Sequence, residues 1–228
     1  MFSEMFNELW SHGIILKGIW ETIYMTLLST SIAYVIGLPI GVILNVTSAG
    51  GLAPNKVVNK VLGLIVNFLR SVPFIILMVA FLPVAKVIVG TSLGNKAMIV
   101  MLVIAAFPYI ARVVETSLKE IDYGKIEAAR SMGASDFEIV YKVILPESKP
   151  SLCSGAVISA ITIIGYSAMA STIGGTGLGQ IAIIYGHQRS NPDITWVCVF
   201  LIVIIVVVIQ EIGIIVVRKI DKRRKVNG

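Results

Sequence analysis

The sequence predicts an all-α membrane protein of about five spanning helices with one polar insert between them. Three observations carry this. Of the 228 residues, 56% are hydrophobic and only 14% charged, whereas ordinary soluble domains carry about 25% charged residues to cover their surface. The mean hydropathy is +0.89. The apolar residues also fall into five runs of the roughly 20 residues that a bilayer crossing requires. The length suits a single domain. The net charge of +6 and pI near 9.4 do not point to nucleic acid, because the basic residues flank apolar runs and no aromatic-basic stripe accompanies them.

Residues 1–17 lack the basic start of a cleavable signal peptide and carry Glu4 and Glu8 instead. Met1, Phe2, Met5, Phe6, Leu9 and Trp10 recur at helical spacing, the pattern of a short interfacial helix lying on the bilayer; a disordered start is the alternative. The spanning domain is expected over 18–218, and a basic tail over 219–228.

The first span runs from Gly18 to Val46, and its Gly37-x-x-x-Gly41 permits close helix contact. The second runs from Val57 to Val84 with Pro73 inside it. The third runs from Lys96 to Leu118 with Pro108 inside it. A proline inside a membrane helix survives where neighbours or water satisfy the freed carbonyl, so both spans are expected to kink within the bundle, with or without a functional consequence. The fourth span runs from Ser151 to Ile173 and the fifth from Ile194 to Val217. Cys153 and Cys198 lie near the starts of antiparallel neighbours, at opposite membrane faces. No disulfide is expected between them, and both read as small packed thiols.

Basic residues in short loops set the orientation. One side collects Lys56, Lys60, Arg112, Lys119, Lys125, Arg130, Lys142, Lys149, Arg218, Lys219, Lys222, Arg223, Arg224 and Lys225. The other collects Lys17, Lys86, Lys96 and Arg189. The first side is expected to be cytoplasmic, with the N-terminus outside and the C-terminus inside.

The long polar insert covers about 119–149. Asp122 is placed to cap a short helix carrying Ile126, Ala129 and Met132 on its apolar face. Ser135-Asp136-Phe137-Glu138 reads as a capping box opening a second helix. Ile139, Val140, Val143 and Ile144 form its apolar face, and Pro146 is expected to stop it. Gly133 lies between the two, where a residue without Cβ can turn the chain. By spacing alone this pair fits two uses: a small-residue knuckle that enters a groove on a partner, or an amphipathic hairpin along the membrane face.

The order Glu127-Ala128-Ala129, three residues, Gly133, then a helical stretch to Val143-x-Leu145-Pro146 resembles the cytoplasmic coupling motif of the membrane-spanning subunits of bacterial ATP-driven importers, the binding-protein-dependent ABC permeases. The departure is Val143, where that family usually has Ile. The resemblance implies the type I ABC importer permease fold and a coupling role toward an ATPase for Glu127, Ala128, Ala129, Gly133, Leu145 and Pro146. A closer resemblance, to the permeases of methionine importers, rests on Arg70-Ser71-Val72-Pro73-Phe74-Ile75-Ile76-Leu77, Val87-Ile88-Val89-Gly90-Thr91-Ser92 and Ile110-Ala111-Arg112-Val113-Val114-Glu115. It rests also on Gly165-Tyr166-Ser167-Ala168-Met169 and the run from Gly174 to Gln180. It extends over nearly the whole chain. It implies a homodimer in the bacterial plasma membrane, two ATPase subunits, an extracytoplasmic substrate-binding (lipo)protein, and methionine (D- and L-) as cargo. A permease for another small amino acid, a methionine derivative or a methionine-containing dipeptide is the alternative. ATP and magnesium would belong to the ATPase, with no cofactor in this chain.

Single positions leave choices open. Met169 lies in an uncharged span and reads as gap-filling core; the resemblance implies instead a thioether that closes the pore where two copies meet. Tyr166 and Ser167 have hydroxyls that suit either water in a pathway or bonds across helices. Arg70, a charge inside an apolar run, faces either a cavity or a polar partner, with Glu115 and Asn67 as the structural choices. Glu211 reads as a headgroup-level charge. The glycines from Gly174 to Gly179 have neither the strand-turn-helix context nor the lysine of a nucleotide loop. They fit a tight turn or a docking rim, and His187 and Arg189 nearby read as solvated. No catalytic constellation appears, and His12 and His187 offer no metal-ligand spacing. A self-contained secondary transporter would show inverted repeats and intramembrane acidic pairs, which are absent. A membrane scaffold has no use for the paired kinks and outward glycines.

Overall fold

The computed structural model describes residues 9–221, and among them there is no strand. Helix α1 is Ile14–Val46, α2 Lys56–Ser71, α3 Phe74–Val89, α4 Gly94–Lys119 and α5 Tyr123–Ser131. Asp136–Glu138 (α6) widens into a π-helical turn, Ile139–Ile144, and regains α geometry at Leu145–Glu147 (α7). Then follow α8 (Lys149–Ala170), a 3₁₀ turn at Ser171–Ile173, α9 (Leu178–Ile181) with a π turn at Ala182–Gln188, and α10 (Pro192–Ile220). Of these, α1, α4, α8 with its 3₁₀ turn, and α10 are each long and apolar enough to cross a membrane; α2 and α3 make a fifth span if taken together. Most of the interfacial stretch expected at the N-terminus lies outside the described residues. Leu9, on its apolar face, is buried beside Ile15.

The second span departs from expectation. Where a kink at Pro73 was predicted, the helix ends at Ser71 and restarts at Phe74. A residue before proline is forced out of the α region, and Pro73 itself is extended (φ −54°, ψ 135°), its carbonyl accepting from the Ile76 and Leu77 N–H groups. Pro108 stays inside α4 as expected, and Pro39 and Pro83 lie inside α1 and α3.

The chain divides into two compact units, each assembled from separate segments. Of the described residues, the first contains 9–32, 72–106 and 159–210. Its core joins Leu9, Ile15, Ile164, Leu178, Ile181, Ile194 and Cys198. The glycine-rich segment is tied into this unit. Thr22 Oγ1 accepts from the Leu178 N–H at 3.0 Å, Thr176 bonds Asn95, and Asn95 Nδ2 donates to Glu21 at 3.2 Å.

Of the described residues, the second unit contains 33–71, 107–158 and 211–221. Here Leu44, Val66 and Ala111 are buried together. The predicted close contact at Gly37 and Gly41 is present: a Cβ at Gly41 would lie 2.6 Å from the Ala111 carbonyl oxygen. Where lipid tails are as apolar as leucine, such backbone proximity is what holds helices together. Tyr34 adds a bond to the Leu152 carbonyl at 3.1 Å. Asn55 caps α2 through the Val57 and Val58 N–H groups, and Asn59 donates to the Leu44 carbonyl.

Candidate functional site

The polar insert forms a two-helix hairpin whose ends are fixed by side chains read from the sequence. The Asp122 carboxylate accepts from the Gly124 N–H at 2.8 Å and opens α5. Ser135 and Glu138 form the reciprocal capping box, with the Glu138 carboxylate accepting from the Ser135 N–H at 3.1 Å. Lys142 donates to Glu138 at 2.8 Å. That bond first, and the Ser135 N–H second, hold the Glu138 carboxyl well below its ordinary 4.5, at about 2. Gly133 adopts φ +82° between the helices, with open space where a Cβ would stand.

Pro146 does not stop the second helix. The preceding turn is widened, and Leu145 N–H donates to the Val140 carbonyl five residues back. The chain can then pass Pro146, which has no N–H to place, and the helix ends one residue later, at Glu147.

The motif residues divide by exposure. Ala129 is buried against the hairpin's own core with Ile139 and Ile144, whereas Glu127, Ala128, Gly133 and Pro146 face outward and Leu145 is half-buried. Met132, expected on the inner face of α5, is 81% exposed. The reason is that α5 ends at Ser131, leaving Met132 at the cap where the chain turns toward Gly133. Phe137, 78% exposed, stacks with Tyr141, its neighbour one turn on. This outer apolar strip was missed in the sequence, although Phe137 and Tyr141 at i, i+4 opposite the Ile139/Ile144 face signal it.

Within the hairpin, Arg130 donates to Asp136 at 3.0 Å and Lys125 pairs with Glu147; Arg130 also reaches outside it to the Leu52 carbonyl, at 3.5 Å. A cleft of about 510 Å³ lies between the hairpin and the loop at 48–52.

Behind the hairpin, at the end of α4, Glu115 is 5% exposed and bonds both Arg112 (2.5 Å) and Lys119 (2.7 Å). Arg112 also donates to Asn67 at 3.0 Å. The partners expected for Arg70 therefore belong to Arg112. Arg70 is exposed and bonds no described residue. The Arg112 guanidinium lies beside α2 and also reaches the Gly63 carbonyl, at 3.4 Å.

In the first unit, the fourth-span residues take separate environments. Met169 is 52% exposed. Tyr166 stacks on Phe74, ring centroids 4.4 Å apart, tying α8 to the start of α3. Ser167 is buried, and its hydroxyl donates to the Ile164 carbonyl of its own helix at 2.8 Å. His187 and Arg189 are exposed, with Arg189 over the Tyr185 ring. No group of three or more metal-ligating side chains occurs among the described residues, and Cys153 and Cys198 are unpaired thiols.

A family model for the binding-protein-dependent transport system inner membrane component matches residues 37–226. The chain is 45% identical over 210 residues to the probable D-methionine transport system permease protein MetI of Vibrio cholerae, covering 92% of this chain and 93% of that one. It is 46% identical over 217 residues to the methionine import system permease protein MetP of Bacillus subtilis, covering 95% of each. Among solved structures, a chain of the MetNI methionine ABC transporter in an inward-facing conformation matches with a TM-score of 0.89 and 46% identity, over 91% of this chain and 96% of that one.

Proposed function

Because the chain belongs to the binding-protein-dependent transport system inner membrane component family, we propose that it carries methionine, in D and L forms, across the bacterial plasma membrane. It is the membrane-spanning permease subunit of an ATP-driven importer, with the type I ABC importer fold. It acts without chemistry of its own: two copies form the pathway, two ATPase subunits bind ATP and magnesium, and an extracytoplasmic binding protein delivers the cargo. The N-terminus lies outside and the basic C-terminus in the cytoplasm.

The observation that carries the reading is the hairpin. Capped at both helix starts and turned at Gly133, it presents Ala128, Met132, Phe137 and Tyr141 outward. A monomer gains nothing by exposing these, whereas a partner's groove buries them. Closure of the ATPase dimer on ATP moves that groove, and the short helices carry the motion to the spans. The state with the groove closed must make different contacts from the open one, since only a difference between states shifts an equilibrium. Met169 from each copy closes the pathway in the resting state, a role its half-exposed position in α8 permits.

The test is radiolabelled L-methionine uptake by cells deleted for their own methionine importer. They carry this chain with its neighbouring ATPase and binding protein. Uptake is expected with the native chain and is lost with Gly133→Trp, while membrane insertion of that variant persists. Normal uptake by Gly133→Trp overturns the coupling role. An ATPase complex that forms but imports no methionine overturns the substrate and leaves the importer.

A further inference from the structure

In the second unit, α7, the start of α8 and the end of α10 enclose a groove of about 720 Å³; Pro146 of the hairpin is part of its wall, whereas Met132, Phe137 and Tyr141 are not. Its lining combines two chemistries. Lys149 and Lys219 stand at the rim, and neither is ion-paired among the described residues. Cys153 and Ile220 supply apolar wall. Two carboxylates also line it, Glu147 and Asp221, but Glu147 is already neutralised by Lys125. Beside the groove, α10 leaves Ile212, Ile215 and Val216 exposed, an apolar strip ending where Arg218 and Lys219 begin. The sequence then places six basic residues between Arg218 and Lys225 against one acidic residue, Asp221.

Cations at the end of a span, over an apolar strip on that span, match a molecule with a negative head and a hydrocarbon tail. Basic pockets between helices at the cytoplasmic face, and basic clusters just beyond a spanning helix, are the features by which proteins hold anionic headgroups. We propose that this groove binds an anionic glycerophospholipid of the adjoining leaflet, its phosphodiester against Lys149 and Lys219 and an acyl chain along Ile212, Ile215 and Val216. The assignment rests on α8 and α10 spanning the membrane, and not on which substrate the importer carries.

The test uses the delipidated permease–ATPase complex in detergent. Native mass spectrometry follows titration with dioleoyl phosphatidylglycerol, dioleoyl phosphatidylcholine or glycerol phosphate. The native complex should retain phosphatidylglycerol in preference to phosphatidylcholine. At about 1 kcal/mol per basic residue near the headgroups, Lys149→Gln with Lys219→Gln should weaken that retention roughly ten- to thirty-fold. Lys149→Arg with Lys219→Arg should restore it, and Lys17→Gln with Lys96→Gln should leave it unchanged. Equal retention by the Gln pair overturns the site. So does an equal loss with Lys17 and Lys96 replaced, which marks a diffuse charge effect, or binding of glycerol phosphate as tight as that of the lipid, which marks a phosphate site without a tail. Loss of the ATPase subunits from the native complex would count against the importer reading and is read separately in the same spectra.

Discussion

Gly133 is the residue at which the hairpin's shape depends on having no side chain. Its φ of +82° is a conformation that costs other residues about 1–2 kcal/mol, while open space surrounds the place of a Cβ. Gly133→Ala should therefore fold with a modest loss, about 2–8 °C in the unfolding midpoint, and retain uptake; only a bulky side chain should block docking. Differential scanning fluorimetry beside transport separates the two effects, and uptake lost already with alanine would argue that strain rather than bulk is at fault. Glu138 makes a pH prediction. Its carboxyl titrates at about 2 in the folded hairpin against an ordinary 4.5, so the charged form is the one folding favours. Its contribution is complete above pH 4.5 and is lost as the pH falls from there through about 2. Glu138→Ala should remove that dependence and, at neutral pH, speed amide exchange at Ser135, whose N–H loses its side-chain acceptor. Unchanged protection would show that the capping box does not hold the turn.

At the scale of elements, the α2–α4 contact depends on a buried charge. Breaking a buried pair by removing one partner costs about 3–5 kcal/mol, and Lys119 remaining on Glu115 places Arg112→Met at the lower end. The double variant Arg112→Met with Glu115→Gln should be less destabilised than Arg112→Met alone, measured by thermal unfolding in detergent. A double variant at least as unstable as the single one would mean that the guanidinium matters through Asn67 and Gly63 instead. These same elements mark what could be read in advance. The long spans were legible because their apolar length alone sets their limits, and the caps at Asp122 and Ser135 because they are local. The break at Val72-Pro73 was not, since a proline between two apolar runs reads alike as a kink or a terminus. Nor was Arg112 over Arg70, because Asn67 lies within reach of either until packing sets α4 against Gly63. The bond Ser167 makes was not legible for a related reason: a hydroxyl in a span has several carbonyls within reach, and packing directs it to Ile164 of its own helix.

For the whole molecule, the gate proposed at Met169 is tested only with two copies and their partners assembled. Met169→Ala should raise both substrate leak through reconstituted vesicles and ATP turnover without cargo; if neither changes, the thioether is packing and not a gate. The two units bear on a different matter. Each draws on the first long helix and on the last, residues 14–46 and 192–220. A chain stopped after Asn191 therefore completes neither, whereas the full chain completes both. Immunoblots of membranes should show the first degraded and the second retained; a stable 1–191 product would mean that one unit stands without the last helix. Residues separated by more than 150 positions must wait in the bilayer for one another, as Thr22 waits for Leu178. Translation that stalls late thus yields no usable half-product, only a substrate for membrane proteases, and the cell's supply of this subunit is decided at the end of each round of synthesis.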